Sequence, residues 1–146
     1  MEATIDPQTN APRPKEVTRG ALFLSASLGL GVVRGIVNLT QRTSGTTLIV
    51  ASIVVIAFFA VLFFGVTQVL AGRNWARITI LVIVAILILS IPVTLILFPS
   101  ALPAYLQDLK TNKFLGTLGI VISVLQILGT YQLFTRNSNQ WFRTRR

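Results

Sequence analysis

Charge is missing from most of the length of this chain. Gly35–Gln41, Thr43–Gly72, Ile78–Gln107 and Phe114–Thr135 carry no formal charge. A hydrocarbon layer about 30 Å thick takes about 20 apolar residues per helix, and the longer runs meet that length. Lipid offers backbone groups no hydrogen bonds, so a spanning segment must satisfy its own N–H and C=O groups and folds as a helix. The Val- and Ile-rich second run has strand-like composition, but its length selects a helix. The expected fold class is therefore all-α: a polytopic membrane protein with four transmembrane helices in an antiparallel bundle.

The spans fall at about residues 20–39, 47–71, 76–98 and 114–134, within a transmembrane domain over 19–135. Residues 1–18 are polar, hold Pro7, Pro12 and Pro14, and read as a disordered tail. Too few apolar residues precede Ser25-Ala26-Ser27 to form the core of a cleaved signal, so the first helix is retained. Gly72 suits a helix C-terminus. The short link Arg73–Arg77 then makes spans 2 and 3 an antiparallel hairpin. Pro92 removes one backbone hydrogen bond and is expected to kink span 3. In the long connection Pro99–Lys113, Tyr105, Leu106 and Leu109 oppose Gln107, Asp108 and Lys110, a pattern that suits the membrane interface. Residues 136–146 form a basic tail.

The chain has 13 Lys and Arg against four acids, a net charge of +9. Because the basic residues flank the apolar runs, the charge reads as a topology signal with contact to anionic headgroups, and not as a nucleic-acid surface. Four spans put both termini and the middle link on one side. That side carries Arg13, Lys15, Arg19, Arg73, Arg77, Arg136, Arg143, Arg145 and Arg146; the other carries Arg42, Lys110 and Lys113. The positive-inside rule assigns the termini to the cytoplasm. Arg73, Trp75, Arg77, Trp141 and Phe142 are expected to anchor this face at the headgroups. Gln68, Asn74 and Gln132 lie near the same boundary, where interfacial solvation accounts for them. The sequon Asn38-Leu39-Thr40 abuts the membrane and reads as accidental.

Spans 1 and 4 carry polar seams. Ser27, Gly31, Arg34 and Asn38 recur at helical spacing, flanked by Gly35; so do Gly116, Gly119, Ser123, Gln126 and Thr130, flanked by Gly129. Small residues allow membrane helices to approach closely, and polar ones bond across the contact. Matching the outer ends of the two antiparallel spans sets Gln126 near Ser27, Ser123 near Gly31, and Gly119 near Arg34. The expectation is that spans 1 and 4 pack together with Ser27 and Gln126 in hydrogen-bonding reach. A homodimer face and chance occurrence are the competing readings. Arg34, the one charge away from the ends of a span, has two readings: its stem carries the guanidinium toward the headgroups or serves structure, or it forms an anion or partner site. Asp108 is the one acid beyond the N-terminal tail and a candidate partner for it.

The chain has neither Cys nor His. Thiolate metal sites, nucleophile–base constellations and histidine proton relays are therefore ruled out, and no carboxylate lies within a span as coupled transporters use. No catalytic, cofactor-binding or metal-binding residue is expected, and the chain reads as a non-enzyme.

At Gly72-Arg73-Asn74-Trp75-Ala76-Arg77 and at Leu133-Phe134-Thr135-Arg136-Asn137-Ser138-Asn139-Gln140-Trp141-Phe142, the chain resembles a loose group of small four-span bacterial inner-membrane proteins of unknown function. The resemblance implies a bacterial inner-membrane location and no particular catalytic or binding residue.

The leading functional expectation is an accessory, regulatory or immunity-type protein that acts through helix–helix contact with a membrane partner or a second copy. The alternative is a small oligomeric channel or carrier for a neutral or anionic solute, with Arg34, Gln126 and Ser27 as its polar lining.

Overall fold

Pro14 sets where the first helix starts. The Pro14 carbonyl accepts hydrogen bonds from the N–H groups of Val17 and Thr18, at 3.2 and 3.4 Å, and α1 runs from Lys15 to Arg42. The computed structural model describes residues 12–42 and 44–144, without the side chains of Arg42, Ile91, Ala101, Ala104, Tyr105, Asp108 and Leu109. The tail expected over residues 1–18 is thus already helical from Lys15, and residues 1–11 lie outside the described residues. Val17, Ala21, Leu24 and Leu28 share one face of α1 and are buried. This apolar stripe, at i, i+4, i+7 and i+11, extends the helix past its expected start.

The remaining elements are α2 (Gly45–Leu70), α3 (Asn74–Leu97), a 3₁₀ turn (Pro99–Ala101), α4 (Leu102–Thr111), α5 (Lys113–Leu133) and α6 (Arg136–Thr144). Helices α1, α2, α3 and α5 are long and apolar enough to cross a membrane. The protein is a multi-pass helical bundle, with no strand among the described residues. The connection between α3 and α5 holds α4, as its amphipathic pattern suggests; the side chains of Tyr105, Asp108 and Leu109 lie outside the described residues.

The α2–α3 link is closed by Gly72, whose φ is +84°. Its N–H bonds to the Val69 carbonyl at 2.9 Å, and the Arg73 N–H bonds to the Gln68 carbonyl at 3.0 Å. This pair of bonds is the Schellman arrangement, in which a left-handed glycine turns the chain sharply after the last helical turn. Helix α3 continues through Pro92. Two hydroxyls bond to backbone carbonyls around the proline: Ser90 to Leu87 at 2.7 Å and Thr94 to Ser90 at 2.7 Å. Such bonds help membrane helices carry a proline.

Packing is uneven along the bundle axis. The core gathers at the end where the N-terminus, the α2–α3 link and the C-terminal helix meet: Val17, Ala21, Leu62, Val66, Val69, Ala76, Ile80, Val84, Leu133, Trp141 and Phe142 are all buried there. Beyond Val84, α3 contributes no buried residue among those described, and α2 contributes none before Leu62. The two helices are packed at one end and open at the other. Elsewhere their Ile, Val, Leu and Phe side chains point outward, as lipid-facing surfaces do.

The most extensive interhelical contact joins α1 to α5. It closes to backbone distance at Gly20 and Gly129: a Cβ on Gly20 would stand 2.9 Å from the Gly129 oxygen. The small residues allow helices to approach until backbones touch, which is how packing gains energy where lipid removes the hydrophobic drive.

Residues 136–146, read from the sequence as a basic tail, form α6 as far as Thr144. Ser138, Trp141 and Phe142 lie one turn apart and are buried against the bundle. The missed signal is this i, i+3, i+4 spacing, masked by Arg136, Asn137, Asn139, Gln140 and Arg143 around it.

Candidate functional site

Where α3 leaves the other helices, a cleft of about 420 Å³ opens, within the size range of small-molecule sites. Its two walls differ in chemistry. Helices α1 and α5 supply Ser27, Arg34, Asn38, Ser123 and Gln126 together with Leu28, Ile122 and the glycines Gly31, Gly35 and Gly119; α2 and α3 supply Val55, Phe58, Phe59, Leu62, Leu87 and Ile88, with Ser90. A narrow inner pocket of about 20 Å³ is lined by Ser27, Leu28, Leu62, Leu87 and Gln126, which also line the cleft, and by apolar core residues.

Arg34 lies across α5. A Cβ on Gly119 would stand 3.0 Å from the Arg34 Cζ and Nη1 atoms and 3.1 Å from Nη2. The guanidinium thus occupies the space that glycine leaves open. Gly119 lies about 9 Å along α5 from Lys113, at 1.5 Å per residue, and the Arg34 side chain laid over it is exposed. Arg34 has no ion pair or hydrogen bond to any described residue. A pairing with Asp108 lies outside the described side chains.

Ser27 and Gln126 are both buried and both face the cleft, yet the expected bond between them is not made. The Ser27 hydroxyl donates to the Leu24 carbonyl of its own helix, at 2.8 Å. Ser123 does the same to Gly119, at 3.0 Å. A serine inside a helix has a carbonyl one turn back within constant reach, and that local acceptor wins. Gly31 and Gly35 also depart from expectation. They open toward α2, where Phe59 fills the space above Gly31 and Val55 that above Gly35. Gly116 and Thr130 belong to α5 but do not line the cleft. Gly116 is half-buried, with its N–H on the Asn112 carbonyl at 3.0 Å; Thr130 is buried, and its hydroxyl has no partner among the described residues.

The five expected interfacial anchors divide. Arg73 and Trp75 are exposed at the bundle end, where headgroups would lie. Trp141 and Phe142 are 4% and 1% exposed and pack on each other edge to face, centroids 4.9 Å apart. Arg77 is half-buried and serves the protein itself. Its Nη1 donates to Asn139 Oδ1 at 2.7 Å and reaches the Leu133 carbonyl at 3.5 Å, and its guanidinium stands 5.1 and 4.6 Å from the ring centres of Phe134 and Phe142. The correction has a physical basis. The end of α5 presents carbonyls without intrahelical partners, and the following segment supplies donors: Ser138 to Gln132 at 2.8 Å, Asn139 to Phe134 at 3.0 Å, and Arg77, whose charge suits a helix C-terminus. Glu16 of α1 joins the same end by accepting from Asn137 at 3.0 Å.

No group of three or more His, Cys, Asp or Glu gathers among the described residues. Comparison with models of protein families, with curated proteins and with solved structures finds no match to the chain.

Proposed function

We propose that this chain is a non-enzymatic protein of a bacterial inner membrane, with both termini in the cytoplasm, that holds a small polar or anionic molecule in its intramembrane cleft, as a carrier does. The observation behind this reading is the cleft itself: Ser27, Arg34 and Gln126 line one volume of about 420 Å³. The bundle end that carries Arg73, Arg77 and Arg136 supports the orientation through the positive-inside rule. An accessory role through helix contacts drew its support from the two polar seams. Gly119 of those seams faces Arg34, and Gly31 and Gly35 face α2, within one chain, which weakens the support they lend to a partner.

Native mass spectrometry of the full chain released from its own membrane tests the proposal. An adduct of small-molecule mass is expected, lost when Ser90→Phe fills the cleft from the loosely packed helix. A foreign membrane protein at fixed stoichiometry, with no small adduct, would sink the reading and restore the contact role.

A further inference from the structure

The chemistry of the two walls says what kind of molecule the cleft suits. One wall offers a single positive charge, Arg34, whose guanidinium lies against Gly119 and makes no ion pair with any described residue. The same cleft is lined by the amides of Gln126 and Asn38, while the Ser90 hydroxyl on its other side is committed to the Leu87 carbonyl. The α2 side of the cleft is apolar, with Phe59 resting on Gly31 and Phe58 exposed beside it, their rings edge to face at 5.7 Å. A fully polar anion would leave the aromatic wall unmatched; a neutral hydrocarbon would leave the guanidinium desolvated without compensation, which is costly. A molecule with an anionic head and an apolar tail satisfies both walls.

The route of entry points the same way. Arg34 lies about two turns, roughly 12 Å, before the end of α1. Beside it α3 has no buried residue beyond Val84. The cleft is therefore open sideways, between α3 and its neighbours, along faces whose side chains are Ile, Val, Leu and Phe. A ligand dissolved in the surrounding lipid reaches it without crossing water.

We infer that the cleft is a binding site for an anionic lipid, with the phosphate or carboxylate head on Arg34 and an acyl chain against Phe58 and Phe59. This rests on the reading that the cleft holds a small molecule, and it adds the ligand's class. Charge-assisted bonds from guanidinium to phosphate are among the stronger polar contacts, and Arg presents them in a fork that Lys lacks.

The test uses the full chain in detergent, titrated with phosphatidylglycerol, with phosphatidylcholine of the same acyl chains, and with inorganic phosphate, and read by native mass spectrometry. Phosphatidylglycerol is expected to bind at one copy per chain. Arg34→Gln is expected to weaken it by roughly tenfold or more, while Arg136→Gln, at an exposed cation on α6, leaves it unchanged. A photoreactive group on the acyl chain of phosphatidylglycerol is expected to label the segment around Phe58–Leu62 in the unsubstituted protein, a result that does not depend on any variant folding. Equal binding of the two lipids overturns the anionic assignment while leaving the cleft a lipid site. Saturation by inorganic phosphate alone overturns the lipid assignment. Even labelling along the outer faces of α2 and α3 overturns the location. Binding of none of the three, with a foreign protein helix retained, ends both this inference and the reading beneath it.

Discussion

Gly20 and Gly129 face each other across α1 and α5 so closely that neither position has room for a side chain. A Cβ on Gly20 meets the Gly129 oxygen at 2.9 Å; one on Gly129 meets the Gly20 oxygen at 3.0 Å and Leu24 Cγ at 2.9 Å. A backbone oxygen cannot rotate away, so the helices must separate. Overpacking of this kind costs about 1–3 kcal/mol. Gly20→Ala is expected to lower stability by that amount in denaturant titrations in mixed micelles. Gly29→Ala, on the same helix with nothing within 4 Å of its added methyl, should change little. Equal effects from the two would remove the close approach as the cause.

Arg77 holds α6 to the bundle through a short bond to Asn139 and the face of Phe142, and stands over Phe134 at the end of α5. A charged hydrogen bond contributes about 1.5–3 kcal/mol and a cation over an aromatic ring about 0.5–2 kcal/mol. Arg77→Met should release much of this and let α6 detach. Trp141 then moves from a buried site to water, so its emission should shift to the red in a Trp75→Phe background, and the C-terminal segment should become sensitive to protease. Unchanged emission with unchanged protease resistance would show that Phe142 and Trp141 dock without the arginine.

The four spans were legible because lipid imposes a blunt rule on length and charge, and the α1–α5 contact was legible because glycine and polar residues recur at helical spacing in both. The cleft was legible only by half. Arg34, Ser27 and Gln126 stand out against an apolar background, whereas Val55 and Phe59 look like any lipid-facing residue until α2 is seen to set them against Gly35 and Gly31. Ser90, two residues before Pro92, was the available hint that α3 is not uniform. The basic end misled for a related reason. Arg77, Trp141 and Phe142 have the composition of headgroup anchors, and composition does not distinguish a ring set in lipid from one packed under a neighbouring helix.

Ser27 and Gln126 supply a direct measure of that limit. Each is buried beside the other's helix, but the serine proton is committed to the Leu24 carbonyl at 2.8 Å. A double-mutant cycle of Ser27→Ala and Gln126→Leu isolates their mutual energy. The expected coupling is below about 0.5 kcal/mol, the level at which independent sites add. A coupling nearer the upper end found for polar pairs between membrane helices, about 1.7 kcal/mol, would mean that the serine hydroxyl turns toward α5 in the membrane.

Thr130 presents the opposite case, a hydroxyl with nothing to bond among the described residues. It is 8% exposed and sits beside Gly129, on the tightest part of the α1–α5 contact. Burying an unpaired hydroxyl costs about 1–3 kcal/mol by protein measurements, and a threonine in a helix usually recovers some of that by bonding to a carbonyl one turn back. Here that recovery does not occur. Valine has nearly the same shape and no group to desolvate, so Thr130→Val should leave the packing intact and raise stability by up to about 1 kcal/mol, read as a higher unfolding midpoint in the same mixed micelles. Thr94 is the control: its hydroxyl bonds to the Ser90 carbonyl at 2.7 Å beside Pro92, so Thr94→Val removes a bond and should lower the midpoint. If Thr130→Val were the more damaging of the two, the hydroxyl would have to find a partner on another molecule, and the tight end of the bundle would be a contact surface in its own right.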